Sequence, residues 1–246
     1  MIKAVIFDLD GTLIQTEVLK ATSYARAIRD LTKNEILEEL VLTVFEDFVG
    51  LSRADVVKGL SSHFEMVLKK HLKVSDAFSL QKVLIEKRLE IYREILNDTD
   101  LLSQHFCLYT LGLLRKLQED NFKLVLATMS HLPEAKKITT MMGIFNNFDL
   151  MLTREDVSEG KPHPEIYVKA RNILGVKSEE CLVLEDSVNG IKAGQHAGMP
   201  VFAVTNKVTR ASVHHCNLLE DRFIVDDLPN LVATVYDFIN QQKVMI

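Results

Sequence analysis

The sequence predicts an α/β protein in which a doubly wound parallel sheet carries an inserted all-helical domain. Short apolar runs alternate with amphipathic helical patterns over most of the chain, and one long stretch near the N-terminus shows helical patterns only. Uninterrupted apolar runs suit strands that are buried on both faces, and their alternation with helices is typical of a parallel sheet. Right-handed crossovers then restrict the possible topologies.

The apolar runs predict six strands, at residues 4–7, 124–127, 150–152, 182–184, 201–204 and, more weakly, 223–225. Helical patterns separate most of them, at about 108–117, 133–142, 165–174 and 190–197.

The inserted helical domain is predicted over residues 15–98, and the α/β core over residues 1–14 and 99–246. Ile85, Leu89, Tyr92 and Leu96 recur at helical spacing, which predicts an amphipathic helix near the end of the insert. Because no convincing strand pattern occurs in this stretch, we expect the insert to be entirely helical.

Composition narrows the class of protein. The formal net charge of −5 argues against general binding to nucleic acid or to anionic membranes. Apolar runs are too short to span a membrane, and the first strand pattern leaves no room for a signal peptide. Cys107, Cys181 and Cys216 show no metal or redox spacing, so we expect reduced thiols and a cytoplasmic protein. Apolar helix faces in the insert are compatible with a monomer or a homodimer.

Asp8-Leu9-Asp10-Gly11-Thr12 directly follows the first predicted strand. Two carboxylates two residues apart project to the same side of an extended chain, and Gly11 permits a tight turn after them. Mg²⁺ binds through one or two carboxylates together with phosphate oxygens. Taken alone, the motif is equally compatible with a solvated acidic turn.

Glu185-Asp186 repeats this arrangement at the end of another apolar run. If the two strands are neighbours, four carboxylates meet at one edge of the sheet, and their mutual repulsion calls for a cation. The two pairs together therefore predict a Mg²⁺ site, although either pair alone fits a charged strand end.

Lys161 and two hydroxyl residues are candidates for binding phosphate. Lys161 lies in a loop that Pro162 and Pro164 stiffen, where an ammonium could neutralise carboxylates or a phosphate. Thr128 and Ser130 lie at a strand-to-helix junction, where hydroxyls can donate to a phosphate oxygen. An ordinary surface lysine and a simple helix cap are the alternatives.

Taken in order, these motifs resemble those of the haloacid dehalogenase superfamily. The matching segments are Asp8-Leu9-Asp10-Gly11-Thr12-Leu13, Thr128, Lys161-Pro162-His163-Pro164 and Glu185-Asp186, and the resemblance covers nearly the whole chain. The helical insert and the Lys-Pro-x-Pro form resemble the branch that holds β-phosphoglucomutase, phosphoglycolate phosphatase and pseudouridine-5′-phosphatase. The resemblance implies a Rossmann-like core and a helical cap domain.

The resemblance also implies the chemistry. Asp8 would be the nucleophile that forms an aspartyl-phosphate, and Asp10 the acid and base that protonates the leaving oxygen and then activates water. Asp8, the Asp10 backbone carbonyl and Asp186 would hold Mg²⁺, with Glu185 as a further candidate ligand.

Substrate binding is implied for residues of both domains. Thr128 and Lys161 would hold the transferring phosphoryl group, and Lys161 would offset the charge of Asp8. Arg53, in Gly50-Leu51-Ser52-Arg53, resembles the cap arginine that grips a second phosphate in β-phosphoglucomutase. The alternative for Arg53 is a solvated helix residue.

The favoured function is a Mg²⁺-dependent phosphatase that acts on a small phosphorylated metabolite. A phosphomutase of the same architecture is an alternative. Relatives often have an Asp at the position of Gln15 and a His at the position of Lys20, and both differences weaken the mutase assignment. A non-catalytic binding protein of the same fold is the other alternative. Asp10 argues against a 2-haloacid dehalogenase, and no motif around Lys20 or Lys58 favours a phosphonate hydrolase.

Overall fold

The computed structural model describes residues 1–48 and 53–244, with side chains up to residue 242. The chain divides into two compact units, Met1–Gln15 with His105–Ile246 and Thr16–Gln104. The first is named the α/β unit and the second the helical unit.

Within the described residues, the helical unit contains no strand. Its helices are α1 (Thr16–Leu31), α2 (Glu38–Phe45), α3 (Arg53–His63), α4 (Glu65–Leu72), α5 (Ala77–Ile95) and α6 (Thr99–Ser103).

The described part of the α/β unit contains a six-stranded parallel sheet with the order β3-β2-β1-β4-β5-β6. The strands are β1 (Ala4–Phe7), β2 (Lys123–Ala127), β3 (Leu150–Leu152), β4 (Cys181–Glu185), β5 (Val201–Val204) and β6 (Ile224–Val225). This order confirms the predicted doubly wound sheet. Because the order reverses between β1 and β4, a crevice is expected at the carboxyl ends of these two strands.

Helices cover both faces of the sheet. They are α7 (Leu108–Glu119), α8 (Leu132–Met141), α9 (Glu165–Leu174), α10 (Val188–His196), α11 (Arg210–His215) and α12 (Leu231–Val244). Ala4 and Ile6 of β1 belong to a buried cluster that includes residues of α9, α10 and α11. Phe202 of β5 lies on the opposite face, where its ring meets the ring of Phe238 of α12 at a centroid distance of 5.5 Å. Both faces of the strands are therefore buried, as continuous apolar runs require.

Differences from the predicted elements are local. Phe223 lies in a short 3-10 helix, so the sixth strand begins at Ile224 rather than at Phe223. Helices α11 and α12 are absent from the prediction. The helical unit includes α6, a short helix that the sequence patterns did not indicate. The chain rejoins the α/β unit at His105, whose carbonyl accepts a hydrogen bond from the Gln15 backbone N–H at 2.8 Å.

In the helical unit, α1 packs against α2 and α5. The buried face of α5 passes through Leu84, Arg88 and Ile91, whereas Ile85 and Leu89 are half-buried. The predicted stripe is therefore correct at Tyr92 and Leu96, which are buried, and wrong at Ile85 and Leu89, because Arg88 occupies the buried face there. Across the described ranges, no helix combines the length and apolar character needed to cross a membrane.

Candidate active site

Three carboxylates meet at the carboxyl ends of β1 and β4. Asp8 follows β1, Glu185 ends β4, and Asp186 follows Glu185. The parallel register pairs Phe7 with Leu184, and the Asp8 backbone N–H donates to the Leu184 carbonyl at 3.0 Å. Asp8, Glu185 and Asp186 are only 6%, 1% and 4% exposed. The neighbouring strands thus bring the two predicted acidic motifs together in a buried position.

The Lys161 ammonium lies between two of these carboxylates. Its Nζ donates to Asp8 Oδ1 at 2.6 Å, to Glu185 Oε1 at 2.6 Å and to the Ala127 carbonyl at 2.9 Å. The Lys161 side chain is 5% exposed. A buried ammonium with three acceptors is fully satisfied, so the alternative of an ordinary surface lysine is wrong.

Both carboxylate oxygens of Glu185 accept hydrogen bonds. Its Oε1 accepts from Lys161 and from the Tyr167 hydroxyl, at 2.6 and 2.7 Å. Its Oε2 accepts from the backbone N–H groups of Asp186 and Ser187 and from the Ser187 hydroxyl, at 3.1 to 3.3 Å. These donors fix the orientation of Glu185 and, through it, the position of Lys161.

The charges shift one another's protonation. Burial raises the pKa of Asp8, Glu185 and Asp10 raise it further, and the Lys161 ammonium opposes the rise. Burial alone would lower the pKa of Lys161, but the carboxylates of Asp8 and Glu185 outweigh it and hold this pKa well above its usual value. The site stabilises positive charge and resists additional negative charge.

Asp10 is held on the other side of the site by hydroxyl groups. Its Oδ2 accepts from Ser130 Oγ at 2.6 Å and from Thr128 Oγ1 at 3.3 Å. Thr128 Oγ1 in turn accepts from the Ser130 backbone N–H at 3.0 Å, in the turn that precedes α8. Thr128 and Ser130 therefore lie beside Asp10, as their place after β2 predicts.

Gly11 forms a tight turn immediately after Asp10. Its φ of +88° lies in the left-handed region, and a Cβ at this position would collide with the Asp186 carboxylate. The Gly11 carbonyl accepts from Gln15 Nε2 at 3.0 Å and from Asn206 Nδ2 at 3.4 Å. Only glycine fits this close approach between the first motif and Asp186.

The acidic residues have the composition of a site for a hard divalent cation. One carboxylate oxygen from each of Asp8, Glu185 and Asp186 lies within 4.8 Å of the others. Lys161 is the cation that the structure places against two of them, which leaves the cluster with an excess of negative charge. An all-oxygen donor set of this kind suits Mg²⁺.

Comparison with known proteins identifies the family of this site. The family model described as haloacid dehalogenase-like hydrolase matches residues 2–198. The chain belongs to the haloacid dehalogenase-like hydrolase family. The resemblance drawn from the motifs is thereby confirmed.

Two curated relatives match most of the chain. One is the Bacillus subtilis (strain 168) protein named "Putative phosphatase YhcW", which is 31% identical and covers 85% of this chain and 86% of its own. The other is the pyrophosphatase PpaX of Bacillus cereus (strain AH820), which is 26% identical, and the match covers 96% of this chain and 97% of the relative. Family and relatives together confirm the prediction of an enzyme, a hydrolase of the phosphatase type.

A solved structure shares the fold of this haloacid dehalogenase-like hydrolase. The β-phosphoglucomutase of Clostridium difficile has a TM-score of 0.67 and 23% identity, and the match covers 99% of this chain and 100% of that protein. At this identity the likeness shows the fold alone, so it does not distinguish a hydrolase from a mutase.

The remaining predicted site residue, Arg53, lies in the helical unit of this family member. It is the first residue of α3, and its side chain is exposed. Burial raises the pKa of the Tyr24 hydroxyl, and the positive charges of Arg88, Arg53 and Lys20 oppose this rise. The preceding residues of the predicted motif, 50–52, lie outside the described residues.

Two residues of the site are missing from the sequence prediction. Tyr167 lies on α9, and its hydroxyl reaches Glu185, but nothing in its sequence context distinguishes it from a core aromatic residue. Asn206 follows β5, and its amide donates to Asp186 Oδ2 at 3.0 Å. The rule that locates Asp8 and Glu185, polar residues after a buried strand, also applies to Asn206.

Proposed function

We propose that this hydrolase is a Mg²⁺-dependent phosphatase that hydrolyses a small phosphorylated metabolite through an aspartyl-phosphate. The substrate class is that of a sugar phosphate, phosphoglycolate or a nucleoside monophosphate. One observation carries the proposal: the buried Lys161 ammonium contacts Asp8 while Asp10 lies on the same strand end. A nucleophile, a charge-neutralising cation and a second carboxyl group are the parts that phosphoryl transfer needs.

Mg²⁺ fits the residues present. We assign its ligands to Asp8, Asp186 and the backbone carbonyl of Asp10, with Glu185 as a further candidate. The excess negative charge of the acidic cluster supports this assignment. When bound, Mg²⁺ supplies positive charge for the phosphate oxygens and relieves the repulsion among the carboxylates.

In the first half-reaction the Asp8 carboxylate attacks the phosphorus atom, and the bond from phosphorus to the leaving oxygen breaks. The protonated Asp10 gives its proton to that oxygen, so the alcohol leaves neutral. Lys161 donates to Asp8 and offsets the charge of the phosphoryl group. We assign the hydroxyls of Thr128 and Ser130 to its oxygens, to which they would turn from Asp10 Oδ2 when the phosphoryl group binds.

In the second half-reaction water replaces the alcohol. The Asp10 carboxylate, now deprotonated, takes a proton from water as the water oxygen attacks the phosphorus atom of the aspartyl-phosphate. The bond from phosphorus to Asp8 breaks, which regenerates the Asp8 carboxylate and releases inorganic phosphate. The contacts of Ser130 and Thr128 with Asp10 Oδ2 support a fixed position for this carboxyl group.

The test is release of inorganic phosphate from a panel of phosphorylated metabolites, with Mg²⁺ and with a chelator. The panel includes inorganic pyrophosphate because one curated relative is named a pyrophosphatase. We expect metal-dependent release that falls to background in Asp8→Asn. Asp149→Asn, which breaks a surface ion pair with Lys123 of 2.6 Å, is the matched control and should keep activity.

Other outcomes select the alternatives. Full activity of Asp8→Asn would refute the nucleophile. A sugar bisphosphate that accumulates without release of phosphate would favour the mutase. No turnover of any compound, together with no binding of Mg²⁺, would favour the non-catalytic binding protein.

We also propose that Arg53 binds a second anionic group of the substrate. Arg53 is exposed at the first position of α3, so its guanidinium is accessible to an anionic group, which supports this role. Arg53→Met should raise KM for substrates with a second anionic group and leave kcat nearly unchanged. Lys58→Met, an exposed cation on the same helix, is the control. Equal KM values for Arg53→Met and wild type would refute this role.

The domain limits 1–14 with 99–246 and 15–98, the cytoplasmic location and a monomeric or homodimeric state stay predictions. The assignment of residues 15–98 as a substrate-selecting cap belongs with them.

A further inference from the structure

Asn206 lies at the edge of the sheet where the carboxylates meet, yet nothing in the family match accounts for it. It is the second residue after β5 and precedes α11, and it is half-buried. The family model ends at residue 198, so Asn206 lies beyond the matched segment.

The backbone fixes which end of the Asn206 amide is the acceptor. Asn206 Oδ1 accepts from the backbone N–H groups of Val208 and Thr209, at 2.8 and 3.1 Å. Since only the oxygen can accept these hydrogen bonds, the Nδ2 group must point the other way. The orientation of the amide therefore follows from the turn that leads into α11.

The Nδ2 group points at the acidic cluster. It donates to Asp186 Oδ2 at 3.0 Å and lies 3.4 Å from the Gly11 carbonyl. Asp186 is 4% exposed, so an orienting donor is worth more here than on the surface. One amide thus ties β5 to the two segments that carry the acidic motifs.

The turn that Asn206 forms with Val208 and Thr209 does not by itself account for asparagine at this position. The turn requires only an acceptor, which Asp or Ser would supply equally well. Asp would place a second negative charge within 3.0 Å of Asp186, and Ser would be too short to reach it. Asn is the side chain that offers an acceptor to the turn and a neutral donor to the carboxylate.

We propose that Asn206 is a positioning residue that orients the Asp186 carboxylate for the divalent cation. The inference rests on the proposed function, which makes Asp186 a ligand of Mg²⁺. Donation to Oδ2 holds the carboxylate without neutralising its charge, as groups that hydrogen-bond metal ligands do in other metal sites. Substrate is not needed for this effect, so it can be measured without turnover.

The first experiment compares Mg²⁺ binding by Asn206→Ser and wild type, using isothermal titration calorimetry without substrate. Ser keeps an acceptor for the turn and removes the donor to Asp186. We expect the dissociation constant for Mg²⁺ to rise about 10- to 100-fold, the effect of losing such a partner. Thr209→Val is the matched control, because it breaks the hydrogen bond from the Asn206 N–H to Thr209 Oγ1 and leaves Nδ2 in place.

A second variant covers the case in which Asn206→Ser fails to fold. Asn206→Asp keeps the acceptor for Val208 and Thr209 and places a carboxylate against Asp186. Its metal-free melting temperature should be lower than that of wild type, and Mg²⁺ should raise it by more, because the cation relieves the new repulsion.

The outcomes separate the inference from the proposed function. If wild type binds Mg²⁺ and Asn206→Ser binds it equally well, or Thr209→Val weakens binding as much, the positioning role is overturned. An Asn206→Asp melting temperature equal to that of wild type, with and without Mg²⁺, would also overturn it. If wild type itself binds no Mg²⁺, the metal assignment of the proposed function fails, and this inference fails with it.

Discussion

Each unit of the molecule buries a cation, and the contacts described around the two cations differ in kind. In the α/β unit the Lys161 ammonium contacts the carboxylates of Asp8 and Glu185, both at 2.6 Å. In the helical unit the Arg88 guanidinium lies over the rings of Tyr92 and Tyr24, at 4.3 and 5.0 Å from their centroids. Both side chains are almost inaccessible to solvent.

The difference shows which buried charge can take part in chemistry. Carboxylates can exchange a hydrogen bond to Lys161 for a metal ion, or for a hydrogen bond to another donor when phosphate binds. The net charge around Lys161 therefore changes on binding. Aromatic rings keep their quadrupole whatever binds nearby, so their contribution around Arg88 is fixed. We therefore expect Lys161 to affect both stability and activity, and Arg88 to affect stability alone.

The largest effect is expected from Lys161→Met. Removing one partner from a buried ion pair leaves uncompensated charge, which costs about 3–5 kcal/mol in the free energy of unfolding. Mg²⁺ should restore part of this loss by supplying positive charge, but phosphate release should not recover, because the phosphoryl group has lost its cation. Urea denaturation with and without Mg²⁺ measures the first effect, and the phosphate assay the second.

Lys169→Met is the matched control for this experiment. Lys169 is a half-exposed lysine of α9 whose Nζ lies 3.8 Å from Asp156 Oδ1 and donates to the Asp156 carbonyl at 2.6 Å. The loss of such surface contacts costs about 1 kcal/mol or less. Equal losses in the two variants would mean that burial of Lys161 among carboxylates has no special energetic role.

Arg88→Met should have the next largest effect. A desolvated cation over aromatic rings contributes about 2 kcal/mol or more, so we expect a loss of about that size in the free energy of unfolding. The ratio kcat/KM of the folded variant should stay within about twofold of wild type, because Arg88 is not placed in the catalytic machinery. A loss of about 1.4 kcal/mol in transition-state stabilisation would instead lower kcat/KM tenfold.

Arg93→Met, an exposed arginine in the last turn of the same helix, is the control and should change stability by less than about 0.5 kcal/mol. A large loss of activity in Arg88→Met at unchanged stability would break the comparison, because it would make Arg88 part of substrate binding.

These two cations also show what the sequence can predict. Asp8, Glu185 and Asp186 were located correctly at the strand ends because apolar runs predict buried parallel strands, whose carboxyl ends share one edge. Lys161 was selected by its motif, but its contact with both carboxylates depends on a loop between β3 and α9 that no periodicity describes. The roles of these residues stay predictions.

Arg88 and the C-terminal helices show where sequence reasoning stops. Burial of Arg88 depends on tyrosines from two helices, which hydropathy does not describe, so the predicted stripe of α5 included the half-buried Ile85 and Leu89 and left out Arg88. Helix α12 contains Val232, Thr234 and Val235, whose branched side chains favour strands locally. Packing of its Phe238 against Phe202 is a tertiary contact that overrides this preference.

A smaller effect is expected at the neutral member of the Lys161 cluster. The buried Tyr167 hydroxyl donates to Glu185 Oε1 at 2.7 Å, and Tyr167→Phe removes this donor while Lys161 remains. We expect a loss of about 1.5 kcal/mol in the free energy of unfolding, the lower end of the roughly 1.5–3 kcal/mol that a hydrogen bond to a charged group contributes.

Tyr236→Phe is the matched control for Tyr167→Phe. The Tyr236 hydroxyl bonds Asp120 at 2.6 Å near the surface, and the loss there should be below about 0.5 kcal/mol. If Tyr167→Phe lost no more free energy of unfolding than this control, the stability of the Lys161 cluster would come from its charged groups and not from the Tyr167 hydroxyl.

The smallest effect on the free energy of unfolding is expected at Glu155, an exposed carboxylate that bonds the residues following Ser130. A hydrogen bond from His131, together with backbone donors that include the Leu132 N–H, lowers the pKa of Glu155 to about 2. A carboxyl group whose pKa is depressed in the folded state adds stability that is complete above its unfolded pKa, about 4.3, and disappears as the pH falls toward 2. Because Glu155 is exposed, Glu155→Gln should cost less than about 1 kcal/mol at pH 7.

The Glu155 effect is measured as the difference in urea denaturation between variant and wild type at pH 7 and near pH 2.5. Glu179→Gln, at an exposed position beside Lys177, should show a difference near zero at both pH values. If Glu155→Gln lost more free energy of unfolding than Lys161→Met, burial would not explain why some charged residues of this protein contribute more to stability than others. A difference that grew toward low pH would contradict the depressed pKa, because protonation of Glu155 should make wild type resemble the variant.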